Sequence, residues 1–141
     1  MRKIKSVSDP WGNDDIAILI LRLGAASSLF VRHGFEKIVH FQQMMHDFPD
    51  PIKIGEPLSF LFAFFSDSIC SLLIAAGLFT RLASAFLVFN LLVAFVFFWH
   101  GNLLNIDGEL VFVYLVIFLY ILKRGGGRYS IDAALKAAKE R

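Results

Sequence analysis

The chain is poor in charge, sulfur and proline. Only 18% of its 141 residues are Asp, Glu, Lys or Arg, against 57% hydrophobic. This excludes an ordinary soluble domain, in which about a quarter of residues are charged. One cysteine, Cys70, rules out an internal disulfide and two-cysteine thiol–disulfide chemistry, and it reads as a small packing residue. No basic patch with interleaved aromatics points to nucleic acid. No internal repeat is present, and no histidine spacing matches a metal signature such as H-E-x-x-H. The length is that of one domain.

What the chain does have is long apolar runs. Mean hydropathy is +0.63 and there are 16 phenylalanines, side chains that need no polar partner in lipid. A spanning helix needs roughly 20 mostly apolar residues. Four segments meet or approach that length: 16–41, 57–80, 82–99 and 105–123, with a tail over 124–141. The fourth reaches it only if its flanks sit in the interface. The expected fold is all-α, a single integral-membrane domain built as a four-helix up-and-down bundle with a short C-terminal interfacial helix. The basic start resembles a signal peptide, but Asp14 and Asp15 before the first run and Arg22 within it argue that the segment is retained.

Four spans put both termini on one side together with the turn at Arg81. That side then carries ten of the fourteen Lys and Arg residues, and the other carries Arg32, Lys37 and Lys53. The positive-inside bias therefore makes both termini cytoplasmic. The longest connection, 42–56, contains Pro49 and Pro51 and reads as an external loop, with Met44, Met45 and Phe48 pressed onto the membrane. The short turn at Thr80-Arg81 makes the second and third spans neighbours. Gly125-Gly126-Gly127 reads as a helix stop and Ser130 as the N-cap of a last short helix. Lys136, Lys139 and Arg141 on that helix are available to anionic lipid.

Ionisable residues inside apolar runs carry the functional argument, because a charge at membrane depth costs about 2.5–3.5 kcal/mol on insertion scales. At 100° per residue Arg22, Leu29, His33, Glu36 and His40 share one arc of the first helix, with Lys37 at its edge. This polar stripe should face inward. Arg22 lies about six residues in, roughly 9 Å deep, at a height comparable with Asn90, and Asp67 lies near the midplane. An Arg22–Asp67 pair bridged by Asn90 is the expected arrangement, either to set helix register or to polarise a ligand. Nearer the outer surface His33, Glu36 and Lys37 gather with His100 and Glu109, where histidines facing a carboxylate can move protons. Three readings of this cluster compete: a metal on His33, Glu36 and His40, a haem between His33 and His100, and a cavity for a quinone-like head group. The last needs a polar donor, aromatic walls and access from lipid, all of which the sequence provides.

These residues also carry a family resemblance. Arg22, His33-Gly34 and Lys37 resemble the R…HG..K pattern of the DoxX family. Asp67 followed by Gly77-Leu78-Phe79-Thr80-Arg81 is similar to its E…GL.TR segment. His100, Gly108-Glu109 and Gly127-Arg128-Tyr129-Ser130-Ile131-Asp132 complete the set over about residues 16–132. Asp67 stands where the family usually has a glutamate, and Cys70-Ser71 where it has a glycine pair. The resemblance implies a four-span bacterial inner-membrane protein, some members being subunits of thiosulfate:quinone oxidoreductases and others parts of thiol-defence complexes. The leading expectation is a quinone-linked oxidoreductase component in redox or sulfur metabolism. In it His33, His100 and Glu109 act catalytically, and Arg22, Asp67, Asn90, Glu36 and Lys37 hold the head group. The alternative is a non-catalytic anchor or assembly subunit for a partner enzyme. The expected partners are the bilayer and a redox enzyme or a second copy.

Overall fold

The computed structural model describes residues 14–140. The basic start at Arg2, Lys3 and Lys5, and Arg141, lie outside the described residues. Within them every regular element is helical. The first rod is α1 (Asp14–Leu29), a π-helical turn (Phe30–Gly34) and α2 (Phe35–Val39). The chain breaks at His40 and continues as the short α3 (Phe41–Asp47). The second rod is α4 (Glu56–Phe64), a π turn (Phe65–Cys70) and α5 (Ser71–Ala76); the third is α6 (Thr80–Val93) with a π turn (Ala94–Phe98). The fourth rod is α7 (Ile106–Arg124), and α8 (Ile131–Lys139) follows it. By length and composition Glu56–Ala76 and Thr80–Phe98 each suffice to cross a membrane. The first rod meets the second and fourth, and the third also meets the second and fourth. Their shared core includes Ile18, Ala26, Leu29, Ile74, Leu87, Phe118 and Ile121, all at most 1% exposed.

Helix ends follow the local chemistry. Asn105 caps α7 by accepting from the Asp107 and Gly108 amides, with Asp107 and Glu109 in its first turn and Lys123 and Arg124 in its last, each sign suited to the macrodipole. Gly125, at φ +81°, ends it. Ser130 caps α8 as expected, accepting from Ala133 N. The connection expected as a loop over 42–56 is helical at its start, over Phe41–Asp47, where Phe41 packs edge-on to Phe60 and Phe64.

The first and second rods touch at their π turns. A Cβ on Gly34 would stand 2.5 Å from the Asp67 carbonyl oxygen, and Ser68 Oγ donates to the Gly34 carbonyl at 2.9 Å. A π turn also inserts one extra residue, which rotates everything beyond it by about one residue's 100°. The stripe expected from α-helical spacing is therefore split. Arg22 and Leu29 are buried, but beyond the turn Gly34 and Lys37 face inward while Glu36 and His40 are exposed.

At the opposite end, the tail is stitched back into the fold. Gly77, at φ +76°, closes α5 with its amide on Leu73 and Ile74, and its carbonyl accepts from Asp132 N at 2.9 Å. The Asp132 carboxylate accepts from Phe79 N, Thr80 N and Thr80 Oγ1 at 2.7, 2.9 and 2.8 Å. It thus caps α6 from 52 residues away and holds Phe79 at its left-handed φ of +47°. Arg22, 1% exposed, lies against Gly77 and donates from Nη2 to the Tyr129 carbonyl at 2.8 Å. The expected Arg22–Asp67 pair is not formed. Helical side chains lean toward the N-terminus, which carries Arg22 to the Gly77 end and away from Asp67.

Burial raises the Asp132 pKa, but the Thr80 and Phe79 hydrogen bonds and the Arg22 charge outweigh it and hold the carboxyl below the ordinary carboxylate range. A depressed carboxyl stabilises the fold above its unfolded pKa of about 3.9, and the contribution disappears as pH falls through the folded value. Unfolding of the detergent-solubilised protein should accordingly become easier below about pH 4, and Asp132→Asn should flatten that dependence. Asp132→Ala should cost about 1–2 kcal/mol at neutral pH through loss of the α6 cap. At the rod contact, Gly34→Ala should cost about 1–3 kcal/mol by overpacking. Gly24→Ala, which meets nothing within 4 Å, should gain up to about 1 kcal/mol of helix propensity. Equal thermal midpoints for those two variants would contradict the backbone contact.

Candidate functional site

The contact between the two π turns builds a polar triad. Lys37, from α2, places Nζ 2.9 Å from Asp67 Oδ2, both side chains 9% exposed. Leaning toward its own N-terminus, the same ammonium reaches the His33 carbonyl at 3.3 Å and lies 5.9 Å from the centre of the Phe48 ring. Asn90 Nδ2, from α6, donates to Asp67 Oδ1 at 3.0 Å. Each Asp67 oxygen therefore has a partner. The buried charge pair is neutral as a unit, which is what a low-dielectric interior demands. Ser71 Oγ fixes the turn beneath, donating to the Asp67 carbonyl at 2.5 Å and the Ser68 carbonyl at 3.0 Å.

Beside the triad lies a cavity of about 300 Å³. Its polar wall is Asp67, Asn90, His33, Ser59 and Tyr114, and its apolar walls include Leu29, Phe62, Phe89, Leu91, Phe98 and Trp99. Tyr114 is oriented by a 2.7 Å hydrogen bond between its hydroxyl and Ser28 Oγ. Loop 48–55 covers one side with Phe48, Pro49, Pro51, Ile52 and Ile54. So Phe48 turns onto the cavity and Lys37.

Asp50 holds that loop in place. Its Oδ1 accepts from Ile54 N and Ser59 Oγ at 3.0 and 2.8 Å, and its Oδ2 accepts from Gly55 N at 2.7 Å. Desolvation raises the Asp50 pKa, but bonds from Ser59, Gly55, Ile54 and Lys53 outweigh it and keep the carboxyl below its usual range. Gly55, at φ +104°, makes the turn into α4.

Of the residues expected at the site, His33, Asp67 and Asn90 line the cavity, and Lys37 is joined to it through Asp67. Arg22 belongs to the Gly77 end instead. Glu36, His100 and Glu109 are exposed and lie outside the cavity lining. The metal reading of His33, Glu36 and His40 fails geometrically, since the π turn sends Glu36 and His40 outward. Among the described residues no group of three His, Cys, Asp or Glu is placed to hold a metal ion. The haem reading fails as well, because His100 is exposed and not on the cavity. Sequence reasoning missed Asp50, Ser59 and Tyr114. Asp50 leaves a faint signal, an Asp-Pro pair just before Gly55, which favours a side-chain-closed turn; Tyr114 leaves none.

Charges turned inward and large apolar side chains turned outward (Ile20 66% exposed, Val31 69%, Leu82 61%) are the arrangement of a membrane protein. The family model that matches is DoxX, over residues 17–101, more than half of the sequence, and the chain belongs to the DoxX family. That match takes in Arg22, His33, Lys37, Asp67, Asn90 and Gly77–Arg81, and ends before Glu109 and the Gly127–Asp132 segment. No curated protein and no solved structure matches the chain.

Removing one partner of a buried ion pair leaves an uncompensated charge, at a cost of about 3–5 kcal/mol. Lys37→Met should therefore destabilise by that order, as should Asp67→Leu. The double variant should recover much of the loss, because neither charge then remains buried. A double-mutant cycle on unfolding free energy measures this coupling, and additive losses would mean that the pair is not formed.

Proposed function

We propose that this protein is the membrane component of a quinone-linked oxidoreductase, and that the cavity beside Asp67 receives the quinone head group. The four rods cross a bacterial inner membrane as an up-and-down bundle with both termini cytoplasmic. The ten-to-three division of basic residues supports that orientation. A partner redox enzyme delivers the electrons, and a second copy is the other expected partner.

The observation that carries the reading is the charge balance of the cavity. Its charged wall residue is Asp67, already neutralised by Lys37, and the rest of the lining is apolar or uncharged-polar apart from His33. Such a site suits a neutral ring with hydrogen-bonding edges and disfavours a sulfur oxyanion, which would meet a carboxylate without a free cation. The volume of about 300 Å³ fits a single ring at the small end of ligand pockets. When bound, a quinone supplies a two-electron, two-proton acceptor. The chain's own part is to hold and orient it. Asn90 has a second amide hydrogen beyond the one spent on Asp67, and Tyr114, its hydroxyl bonded to Ser28, lines the same space. His33 holds the mobile proton at a ring nitrogen. His100 and Glu109 exchange it with water beside Trp99. Loop 48–55 excludes water from the mouth.

One observation favours the second reading, an anchor or assembly subunit. Both Asp67 oxygens are satisfied within the protein, as pure packing would require.

Ligand binding separates the two. Trp99 lines the cavity and the chain has two tryptophans, so a Trp11→Phe background isolates its fluorescence. A short-chain ubiquinone analogue should quench it saturably. Asn90→Leu should weaken binding about tenfold, equivalent to about 1.4 kcal/mol for a lost hydrogen bond, and His33→Ala should depress turnover of the assembled complex more than affinity. Non-saturable quenching, or unchanged binding in Asn90→Leu, would leave the anchor reading in possession.

A further inference from the structure

A second concave site lies at the Gly77 end, between the start of α6, the glycine loop after α7 and the face of α8. We propose that it binds the phosphate of an anionic phospholipid, a glycerophosphate diester with its acyl chains still in the bilayer. The polar side of the groove carries three cations, Arg81, Arg124 and Lys136, together with Thr80 and Ser130. Arg81 is held in position: Nη2 donates to the Lys123 carbonyl at 3.4 Å, and its Nε would lie 3.3 Å from a Cβ on Gly125. That glycine leaves room for the guanidinium to lie across the loop. Gly126 and Gly127 also line the groove, and among the described residues their amides donate to no acceptor. Amides without partners can add to the pull of such cations on an anion.

The nearby carboxylates do not cancel these charges. Asp132 is committed to Phe79 and Thr80, and Asp15 accepts from Arg128 N at 3.0 Å while standing 3.9 Å from Arg124 Nη2. Three cations therefore face two carboxylates, Asp132 and Asp15, which leaves the groove net cationic. The other side of the same groove is apolar and open: Phe79 is 62% and Leu82 61% exposed, both in its lining. A phosphate ion has no use for that side. A phospholipid does, since its phosphate meets the cations where its chains meet Phe79 and Leu82. The geometry thus favours a lipid over free phosphate.

Phosphatidylglycerol added to the full chain in non-ionic detergent tests this. Expected results are a rise of several degrees in the thermal midpoint and one retained lipid by native mass spectrometry, where phosphatidylcholine gives neither. Arg124→Gln/Lys136→Gln should lose both responses; Lys139→Gln, on the same helix but outside the groove, should keep them. An equal shift with inorganic phosphate would make the ligand a free anion and overturn the lipid assignment. An undiminished response in the double variant, or an equal one to phosphatidylcholine, would overturn the site. Should the double variant not fold, the single exposed change Lys136→Gln must still lose more than half of the retained lipid, or the proposal fails.

Discussion

At Gly34 the first rod lies so close to the second that a single Cβ would stand 2.5 Å from the Asp67 carbonyl. That approach is made with π-helical backbone on both sides, and it decides which side chains beyond it enter the interior. The extra residue of the first π turn moves Lys37 inward and Glu36 outward. The second π turn sets Ser66, Asp67 and Ser68 into the contact, all buried. The ion pair, the cavity beside it and the position of His33 all follow from this one approach.

Two buried cations on one helix then serve two unrelated places. Arg22 and Lys37 both lean toward the N-terminus of the first rod, as helical side chains do. For Arg22 this direction ends at Gly77 and the Tyr129 carbonyl; for Lys37 it ends at Asp67. Each charge finds its partner one side-chain length back along the rod. The Arg22 guanidinium keeps Nε and Nη1 without a hydrogen-bond partner among the described residues. Its role is to tie the first rod to the Gly77 turn and the tail loop.

This division makes the cavity electrically quiet. With Arg22 engaged elsewhere and Lys37 matched to Asp67, the space between the rods is lined by aromatic and aliphatic groups with a few hydrogen-bonding atoms on one wall. Fixed charge is instead concentrated at the Gly77 end, where Arg81, Arg124 and Lys136 surround a groove with an apolar flank. A neutral middle and a cationic rim are two consequences of one distribution of charge.

Composition and hydropathy alone were enough for an all-helical membrane protein, and the motif order pointed to its family. Helix stops and caps such as Gly125 and Ser130 were legible because they act within a few residues of where they are written. That Asp67, Asn90 and His33 would turn toward the interior was legible too, since a polar group in an apolar run needs a partner wherever it lies. Which partner it finds was not. Constant 100° spacing grouped Arg22 with Glu36 and His40, and nothing local marks the π turn that rotates the second half of the rod. Nor does any local feature place Asp132 on the start of α6, Phe48 over Lys37, or Tyr114 on the cavity, all contacts between residues far apart in the chain. Residue chemistry and local propensity settled what must be buried and where helices end. Only the close packing of the rods decided the pairs, because a single added residue in a helical turn exchanges one face for another.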